Sequence, residues 1–530
     1  MFDPYAAYRP PALPIGAEPN PTRRRGIRAR DPSAATGSRT GAPVRDNDAV
    51  TPATRVAIIG GGPAGYEAAL VAAQLGATVT VVEAGGIGGA CVLTDCVPSK
   101  TLIATSDRVT ALRDAPRVGV GSAGTPVRID LAAVNARIRD LAAQQSEDIS
   151  SRLAAEGVDI VPGTGRFAAA QPGRNHRIEA LDADGTLLTD LDADVVLLAT
   201  GSTPRVLDSA RPDGERILSW RDVYDLPELP EHLVVIGSGV TGAEFASAYS
   251  EAGVPVTLVS SRDRVLPGED PDAAAVIEQV FTSRGGTLMR RTRAAAVRRG
   301  PDGVLVDLVP GSGTGEDGPR PALAGSHALM CVGSVPNTGA LALDAAGVRL
   351  GADGAGFIEV DRVSRTNVPS VYAAGDCTGV LPLASVAGMQ GRIAMWHALG
   401  EAVAPLRLKT VAANVFTHPE IATVGVGHDA VSSGRVPART YMLPLATNAR
   451  AKMQGNEDGF VKIYCRPATG VVVGGVIVAP NASELIFPLA LAVQQGLTVT
   501  EIAATIGVYP SLSGSVAEAA RRLMLHDDLD

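Results

Sequence analysis

The sequence has few aromatic residues, few cysteines and no long apolar run. Phe, Trp and Tyr make up 4% of the 530 residues, and the five cysteines are too few for a disulfide-stapled scaffold. No apolar stretch approaches the roughly 18 residues that a membrane span requires, and no signal-peptide core is present at the start. The net charge of −9 argues against a nucleic-acid partner. These absences favour a cytoplasmic enzyme.

The first 53 residues differ from the rest of the chain. They are rich in Pro, Arg, Gly and Ser and contain little that a core could bury, so we expect a disordered tail. The 530 residues are sufficient for roughly three or four domains of about 150 residues each. Abundant glycine, 59 residues in all, suits an α/β protein with many close backbone approaches.

A glycine-rich segment near residue 60 predicts a dinucleotide-binding βαβ unit. In RVAIIGGGPAGYEAALVAAQLGATVTVVEAG, an apolar strand leads into a G-x-G-x-x-G turn, a helix and a second strand that ends at Glu83. The glycines permit a tight turn and let backbone N–H groups approach a pyrophosphate, and the terminal acid can accept hydrogen bonds from a ribose. The predicted binding residues are Gly60, Gly62, Gly65 and Glu83.

A second copy of the pattern, HLVVIGSGVTGAEFASAYSEAGVPVTLVSSRDRVL, contains Gly237, Gly239 and Gly242. Two such units imply two nucleotides, most simply FAD and a nicotinamide. The residue that matches Glu83 in the second copy is Ser260, and Arg262 and Arg264 follow it. Serine and arginine can bind a 2′-phosphate that a carboxylate would repel. We expect NADPH to be preferred or both NADPH and NADH to be accepted, unless the arginines are only solvated loop charges.

Two cysteines in CVLTDC, Cys91 and Cys96, follow the first fingerprint. Five steps of regular helix separate Cα atoms by more than about 7 Å, which is too far for a disulfide. Bridging therefore requires an irregular helix start, for which the preceding GIGGA supplies backbone freedom. The other three cysteines, Cys331, Cys377 and Cys465, are expected to pack in cores.

Further motifs appear in a fixed order: ATGSTPR from Ala199, CVGSVPNT from Cys331, VYAAGDCTG from Val371 and FTHPEIATVG from Phe416. Together with the fingerprints and C-x4-C-x-P-S-K, this order resembles the pyridine nucleotide-disulfide oxidoreductases. The resemblance implies an α/β fold with two Rossmann-like dinucleotide-binding domains, for FAD and NAD(P), and a C-terminal α+β dimerisation domain. The implied boundaries are 1–53 tail, 54–205 first FAD segment, 206–330 NAD(P) domain, 331–405 second FAD segment and 406–530 interface domain.

The resemblance also implies roles for individual residues. Cys96 matches the thiol next to the flavin, and Cys91 matches the outer thiol that exchanges with a disulfide substrate. Lys100 matches a lysine close to the flavin, and Glu244 matches its ion-pair partner. The cofactor-binding residues that the motifs add to the two fingerprints are Thr200, Gly201, Gly375 and Asp376.

The C-terminal segment departs from the disulfide reductases. Those enzymes have a histidine there, supplied by the neighbouring subunit, that shuttles the thiol proton, and a glutamate that holds it. Here VYPSLSG places Tyr509 and Gly514 at these positions. Tyrosine, with an ordinary pKa near 10, is a poor base at neutral pH, and general base catalysis typically contributes 10²- to 10⁴-fold. Thiol–disulfide exchange should suffer, unless a histidine from elsewhere in space replaces the base.

A quinone takes electrons without proton transfer at sulfur. A chain with the family motifs in which the histidine and the glutamate are replaced resembles the actinobacterial NAD(P)H:quinone reductases of lipoamide dehydrogenase type. In that group the dithiol is incomplete, whereas both cysteines are present here. The prediction is therefore an FAD-dependent NAD(P)H:quinone oxidoreductase that forms a homodimer, in which Tyr509 lines the acceptor pocket or only fills the space of the lost imidazole. The alternatives are a dihydrolipoyl dehydrogenase, a soluble transhydrogenase or other diaphorase, and a flavin-binding scaffold without turnover.

Overall fold

The computed structural model describes residues 53–121, 127–169, 176–311 and 318–524. Residues 1–52 of the predicted tail therefore lie outside the described residues. Within the described ranges, no helix combines the length and the apolar character needed to cross a membrane.

The first parallel sheet contains the first fingerprint. Its central strand, Arg55–Ile59, pairs with Thr78–Glu83 on one side and Val195–Leu198 on the other. These strands are apolar along most of their length because a parallel sheet is covered on both faces. All pairs in the sheet are parallel, so the carboxyl ends of the strands meet at one edge. Across the sheet the order is Val371–Ala373, Val195–Leu198, Arg55–Ile59, Thr78–Glu83 and Asp159–Pro162.

The second parallel sheet repeats this arrangement around the second fingerprint. Leu233–Ile236 is central and fully buried, and Val256–Val259 and His327–Met330 flank it. The full order is Thr287–Met289, Val256–Val259, Leu233–Ile236, His327–Met330 and Ile217–Ser219. Smaller antiparallel sheets accompany the two parallel sheets: Thr164–Phe167 with His176–Leu181 and Leu187–Ala193, Thr292–Gly300 with Gly303–Pro310 and Arg320–Gly325, and Ser202–Pro204 with Ser334–Pro336.

The C-terminal part forms an antiparallel sheet of five strands. One face contributes Val415, Phe460 and Tyr464 to the core that also contains the second parallel sheet. The other face is covered by the C-terminal helices in a separate core. The strand order is Ala412–Val415, Glu420–Gly425, Val472–Ala479, Phe460–Cys465 and Arg439–Pro444.

The helices cover the sheets and connect them. The α/β fold with two parallel sheets and a C-terminal α+β part confirms the predicted fold class. The α-helices span Pro63–Gln74, Gly89–Leu93, Cys96–Asp114, Leu131–Ala155, Val240–Glu251, Pro271–Ser283, Leu343–Ala346, Ala384–Ala398, His428–Ser432, Ala449–Gln454, Ala482–Leu485, Phe487–Gln495, Val499–Ala504 and Gly514–Arg522, and 3₁₀ turns lie at Ala115–Val118, Asp208–Ala210, Asp222–Asp225, Asp376–Thr378, Leu408–Thr410 and Leu445–Thr447.

Candidate functional site

The first fingerprint fits a bound pyrophosphate. A Cβ at Gly60 would lie 2.3 Å from the carbonyl oxygen of Ala199, and one at Gly65 would lie 1.8 Å from that of Gly60, so packing requires glycine at both. Gly62 is different, because the nearest atom to a Cβ there would be 4.0 Å away. Open space above Gly62, where the helix Pro63–Gln74 begins, leaves the helix N-terminus available to an anionic group.

The second fingerprint has the same construction. A Cβ at Gly237 would lie 2.1 Å from the carbonyl oxygen of Cys331, and one at Gly242 would lie 1.9 Å from that of Gly237. Nothing lies within 4 Å of a Cβ at Gly239. Both copies therefore combine two packed glycines with one that faces open space, as a dinucleotide requires.

Glu83 ends the second strand of the first sheet and is fixed by two backbone amides. Gly61 N–H donates to Oε2 at 2.5 Å, and Gly85 N–H donates to Oε1 at 2.6 Å. Each carboxylate oxygen retains a further lone pair for a ribose hydroxyl. The fingerprint backbone and the predicted ribose acceptor are thus joined directly.

Thr200 and Gly201 follow one strand of the first sheet, and Gly375 and Asp376 follow its neighbour. The hydroxyl of Ser202 donates to Asp376 Oδ2 at 2.9 Å. Burial raises the pKa of Asp376, and this hydrogen bond opposes the rise. All four residues lie at the carboxyl edge of the sheet, where open α/β sheets bind ligands.

The loop after Val256–Val259 contains the predicted 2′-phosphate residues. Ser260 is fully buried, and its hydroxyl is 2.7 Å from that of Ser238, so it bonds within the fold. Arg264 donates to the carbonyl oxygen of Pro267 at 3.0 Å. Arg262 is exposed, and its guanidinium makes no hydrogen bond or ion pair with the described residues. Of the predicted group, Arg262 alone presents a cation to solvent in this loop.

Cys91 and Cys96 lie on two separate helices. Gly89–Leu93 ends before Thr94, and a new helix starts at Cys96. The Thr94 and Asp95 amides both donate to the carbonyl oxygen of Ala90, at 3.0 and 2.8 Å, and this fixes the break. We call residues 91–96 the cysteine turn. The irregular helix start that bridging requires is therefore present.

All five cysteines are free thiols. A hydrogen bond with Cys96 lowers the pKa of Cys91, although burial and the charge of Asp95 oppose this. The same hydrogen bond raises the pKa of Cys96, because losing a second proton from the pair is unfavourable. Cys331, Cys377 and Cys465 are buried, as predicted.

Lys100 and Glu244 meet as predicted. Lys100 Nζ donates to Glu244 Oε2 at 2.8 Å, and the Phe416 amide donates to Oε1 at 2.9 Å. Burial opposes the charge on Lys100, but the Glu244 carboxylate outweighs it and raises the pKa of Lys100. The ammonium group also lies 5.0 Å from the centre of the Phe416 ring. The C-terminal part of the chain thus helps to orient the pair.

Among the described residues, no hydrogen bond, ion pair or ring contact joins Tyr509 or Gly514 to Lys100 or Glu244. Tyr509 is 86% exposed, and its neighbours Ile506 and Val508 are 99% and 77% exposed. Gly514 begins the last helix, Gly514–Arg522. Three exposed apolar side chains within four residues form a surface suited to contact with another protein chain.

A partly buried ion cluster around His418 was not predicted. His418 Nδ1 lies 3.1 Å from Asp107 Oδ1 and 3.8 Å from Glu251 Oε2. Thr110 and Ser247 also donate to the Glu251 carboxylate, and Arg284 stands 3.8 Å from it. Although the three ligand atoms lie within 4.8 Å of one another, their protein partners already satisfy them, as in an ion-pair network. The H-P-E sequence at 418–420 gave no signal of this pairing.

Comparisons with known proteins cover most of the chain. Residues 54–391 match the pyridine nucleotide-disulphide oxidoreductase family, and residues 411–520 match its dimerisation domain. An NAD(P)H dehydrogenase (quinone) of Mycobacterium tuberculosis is 58% identical over 481 residues, which is 90% of this chain and 95% of the relative. A dihydrolipoyl dehydrogenase of Geobacillus stearothermophilus is 32% identical over 467 residues, 88% of this chain and 95% of the relative.

Solved structures give the same result. The crystal structure of LpdA from Mycobacterium tuberculosis matches with a TM-score of 0.83 at 57% sequence identity, covering 89% of this chain and 100% of that one. Members of the matched family use FAD and NAD(P)H, and the two glycine fingerprints described above fit two such dinucleotides. The chain therefore belongs to the pyridine nucleotide-disulphide oxidoreductases, as the order of its motifs indicated.

Proposed function

We propose that the protein is an FAD-dependent NAD(P)H:quinone oxidoreductase. The observation that carries the proposal is the 58% identity, over 90% of the chain, to a relative named NAD(P)H dehydrogenase (quinone). The named dihydrolipoyl dehydrogenase relative is far more distant, at 32%. Tyr509 and Gly514 supply a physical reason, because neither can act as the base that thiol–disulfide exchange requires.

The residues of this chain would bind and orient the reactants. The backbone around Gly62 would hold the FAD pyrophosphate, Glu83 the ribose hydroxyls, and Asp376 the polar chain beyond them. Gly239 and Arg262 would hold the nicotinamide nucleotide. When bound, FAD would accept hydride from NAD(P)H and pass the electrons to the acceptor. Lys100, held by Glu244, would place positive charge where reduction adds negative charge.

We also propose a homodimer in the cytoplasm. The dimerisation-domain match and the exposed apolar residues Ile506, Val508 and Tyr509 support the dimer. Five free thiols are ordinary in that compartment. In the dimer, Tyr509 would lie against the partner and line its acceptor pocket.

A dihydrolipoyl dehydrogenase is the second candidate, because Cys91 and Cys96 are both free thiols and the helix is broken between them. The two functions separate in one experiment: NADPH-driven reduction of a soluble quinone and of lipoamide, measured in the parent and in Cys91→Ser. Quinone turnover that survives the substitution, with negligible lipoamide turnover, supports the proposal. Rapid lipoamide turnover that Cys91→Ser abolishes refutes it.

A further inference from the structure

Asp95 belongs to the cysteine turn and directly precedes Cys96 in the sequence. It occupies the position before the first residue of the helix Cys96–Asp114, where an aspartate usually accepts a hydrogen bond from a helix amide. Its side chain makes no such bond. Nowhere among the residues that the structure describes does a donor or a cation come within bonding distance of this half-buried carboxylate.

Burial raises the pKa of Asp95, and the cations around the cysteine turn do not outnumber the anions. Its charged neighbours are the cations Lys100 and Arg221 and the anions Glu244 and Asp376. Lys100 is paired with Glu244 at 2.8 Å, so its charge acts on that partner as well as on Asp95. With Asp95 included, three anions face two cations. Reactive thiolates occur in electropositive surroundings, and the cysteine turn has the opposite balance.

We propose that Asp95 is a specificity-determining residue: its carboxylate suppresses thiolate formation at Cys91 and Cys96 and so disfavours thiol–disulfide exchange. The physical reason is like-charge repulsion, because a carboxylate beside a thiol makes the second negative charge costly. The charge of Asp95 raises the pKa of both thiols, although other effects lower that of Cys91 overall. This role of Asp95 rests on the proposed quinone reductase function, in which electrons leave the flavin by a route that does not use sulfur.

The test is the pH dependence of iodoacetamide alkylation of the reduced holoenzyme, followed for each cysteine by mass spectrometry. In Asp95→Asn the alkylation midpoint of Cys91 moves to lower pH. At a pH below that midpoint, Cys91 of the variant is alkylated about threefold faster than Cys91 of the parent for each pH unit by which the midpoint moves. The thiolate fraction rises tenfold per unit, but the less basic thiolate is about threefold less nucleophilic. Buried Cys331, Cys377 and Cys465 serve as internal controls.

Matched variants isolate the charge. Asp95→Glu retains the anion and keeps the parent profile, and Asp95→Ser reports on the charge if Asp95→Asn does not fold. Asp114→Asn removes a carboxylate from the same helix roughly 27 Å from Cys96, beyond the reach of screened charge, and leaves the profile unchanged. A parent-like profile in both Asp95→Asn and Asp95→Ser overturns the inference. Alkylation requires no electron acceptor, so rapid lipoamide turnover by the parent would refute the proposed function and leave this result intact.

Discussion

Lys462 Nζ lies 2.8 Å from Asp270 Oδ1, and the two side chains are buried together. Lys462 belongs to the C-terminal sheet, whereas Asp270 precedes the helix Pro271–Ser283 beside the second parallel sheet. Tyr464 donates to Asp270 Oδ2 at 2.9 Å, and Asp272 lies 2.6 Å from Lys462. This buried pair joins the C-terminal sheet to the start of the helix Pro271–Ser283.

Removing the lysine should leave an uncompensated buried charge. We expect Lys462→Met to lower the free energy of unfolding by about 3–5 kcal/mol and to lower the midpoint of thermal unfolding by several degrees. Adding Asp270→Asn should recover part of the loss, because asparagine can still cap the helix. Asp272→Asn is the control: its side chain is half exposed, so the loss should stay below about 1 kcal/mol. Equal losses in Lys462→Met and Asp272→Asn would contradict this account.

Arg262 should select the nicotinamide cofactor. We expect Arg262→Ala to lower kcat/KM for NADPH about tenfold, the loss expected for one charge-assisted hydrogen bond, and to change kcat/KM for NADH little. The matched control is Arg291→Ala, since Arg291 is also exposed but its Nε is paired with Asp263 at 2.8 Å. Steady-state kinetics with both cofactors decide the question. Equal losses of kcat/KM for NADPH and NADH would show that Arg262 does not bind the 2′-phosphate.

His418 should make stability depend on pH. Burial opposes its charge, but Asp107 and Glu251 raise its pKa above the ordinary value of 6.5, against the opposing charge of Arg284. The stabilisation is therefore fully present below about pH 6.5 and is lost as the pH rises through the folded pKa. The stabilisation amounts to about 1.4 kcal/mol for each pH unit by which the pKa of His418 in the folded protein exceeds that in the unfolded protein.

The measurement compares the thermal midpoint of the parent with that of His418→Gln across pH 5 to 9. We expect the difference to be largest at low pH and to narrow above neutrality. A constant difference at every pH would mean that the histidine contributes packing rather than charge.

Local sequence predicted the parts of the site that lie close together along the chain. The fingerprint glycines and Glu83 follow from spacing and backbone geometry within about 25 residues, whereas the sequence left open whether the helix is broken at the cysteine turn. The Lys100–Glu244 pair joins residues 144 positions apart, and only the family resemblance indicated it.

Other contacts could not be predicted because they depend on which elements pack together. Lys462 with Asp270 and His418 with Asp107 join residues 192 and 311 positions apart, and no motif marks either pair. Ser260 illustrates a second limit. Counting from the fingerprint found the position, but only packing placed its hydroxyl 2.7 Å from that of Ser238.

Restoring a base at the C-terminal segment tests why this chain should avoid disulfide substrates. Both positions accept the change, because Tyr509 is exposed and a Cβ at Gly514 would lie 3.7 Å from the nearest atom, Ser511 Oγ. We expect Tyr509→His with Gly514→Glu to raise lipoamide turnover at least tenfold, toward the 10²- to 10⁴-fold that general base catalysis supplies. Gly514→Glu alone should have little effect, since a carboxylate without the imidazole cannot shuttle the proton.

Tyr509→Phe is the companion variant for the quinone reaction. If the ring only fills space, quinone turnover stays within about twofold of the parent. If the hydroxyl donates a hydrogen bond to the acceptor, turnover falls by about tenfold, the effect of one such bond.

Lipoamide turnover that stays negligible after the substitution of both Tyr509→His and Gly514→Glu would mean that the missing base is not what limits exchange. The suppressing charge of Asp95 would then be the next barrier to remove, in the triple variant with Asp95→Asn.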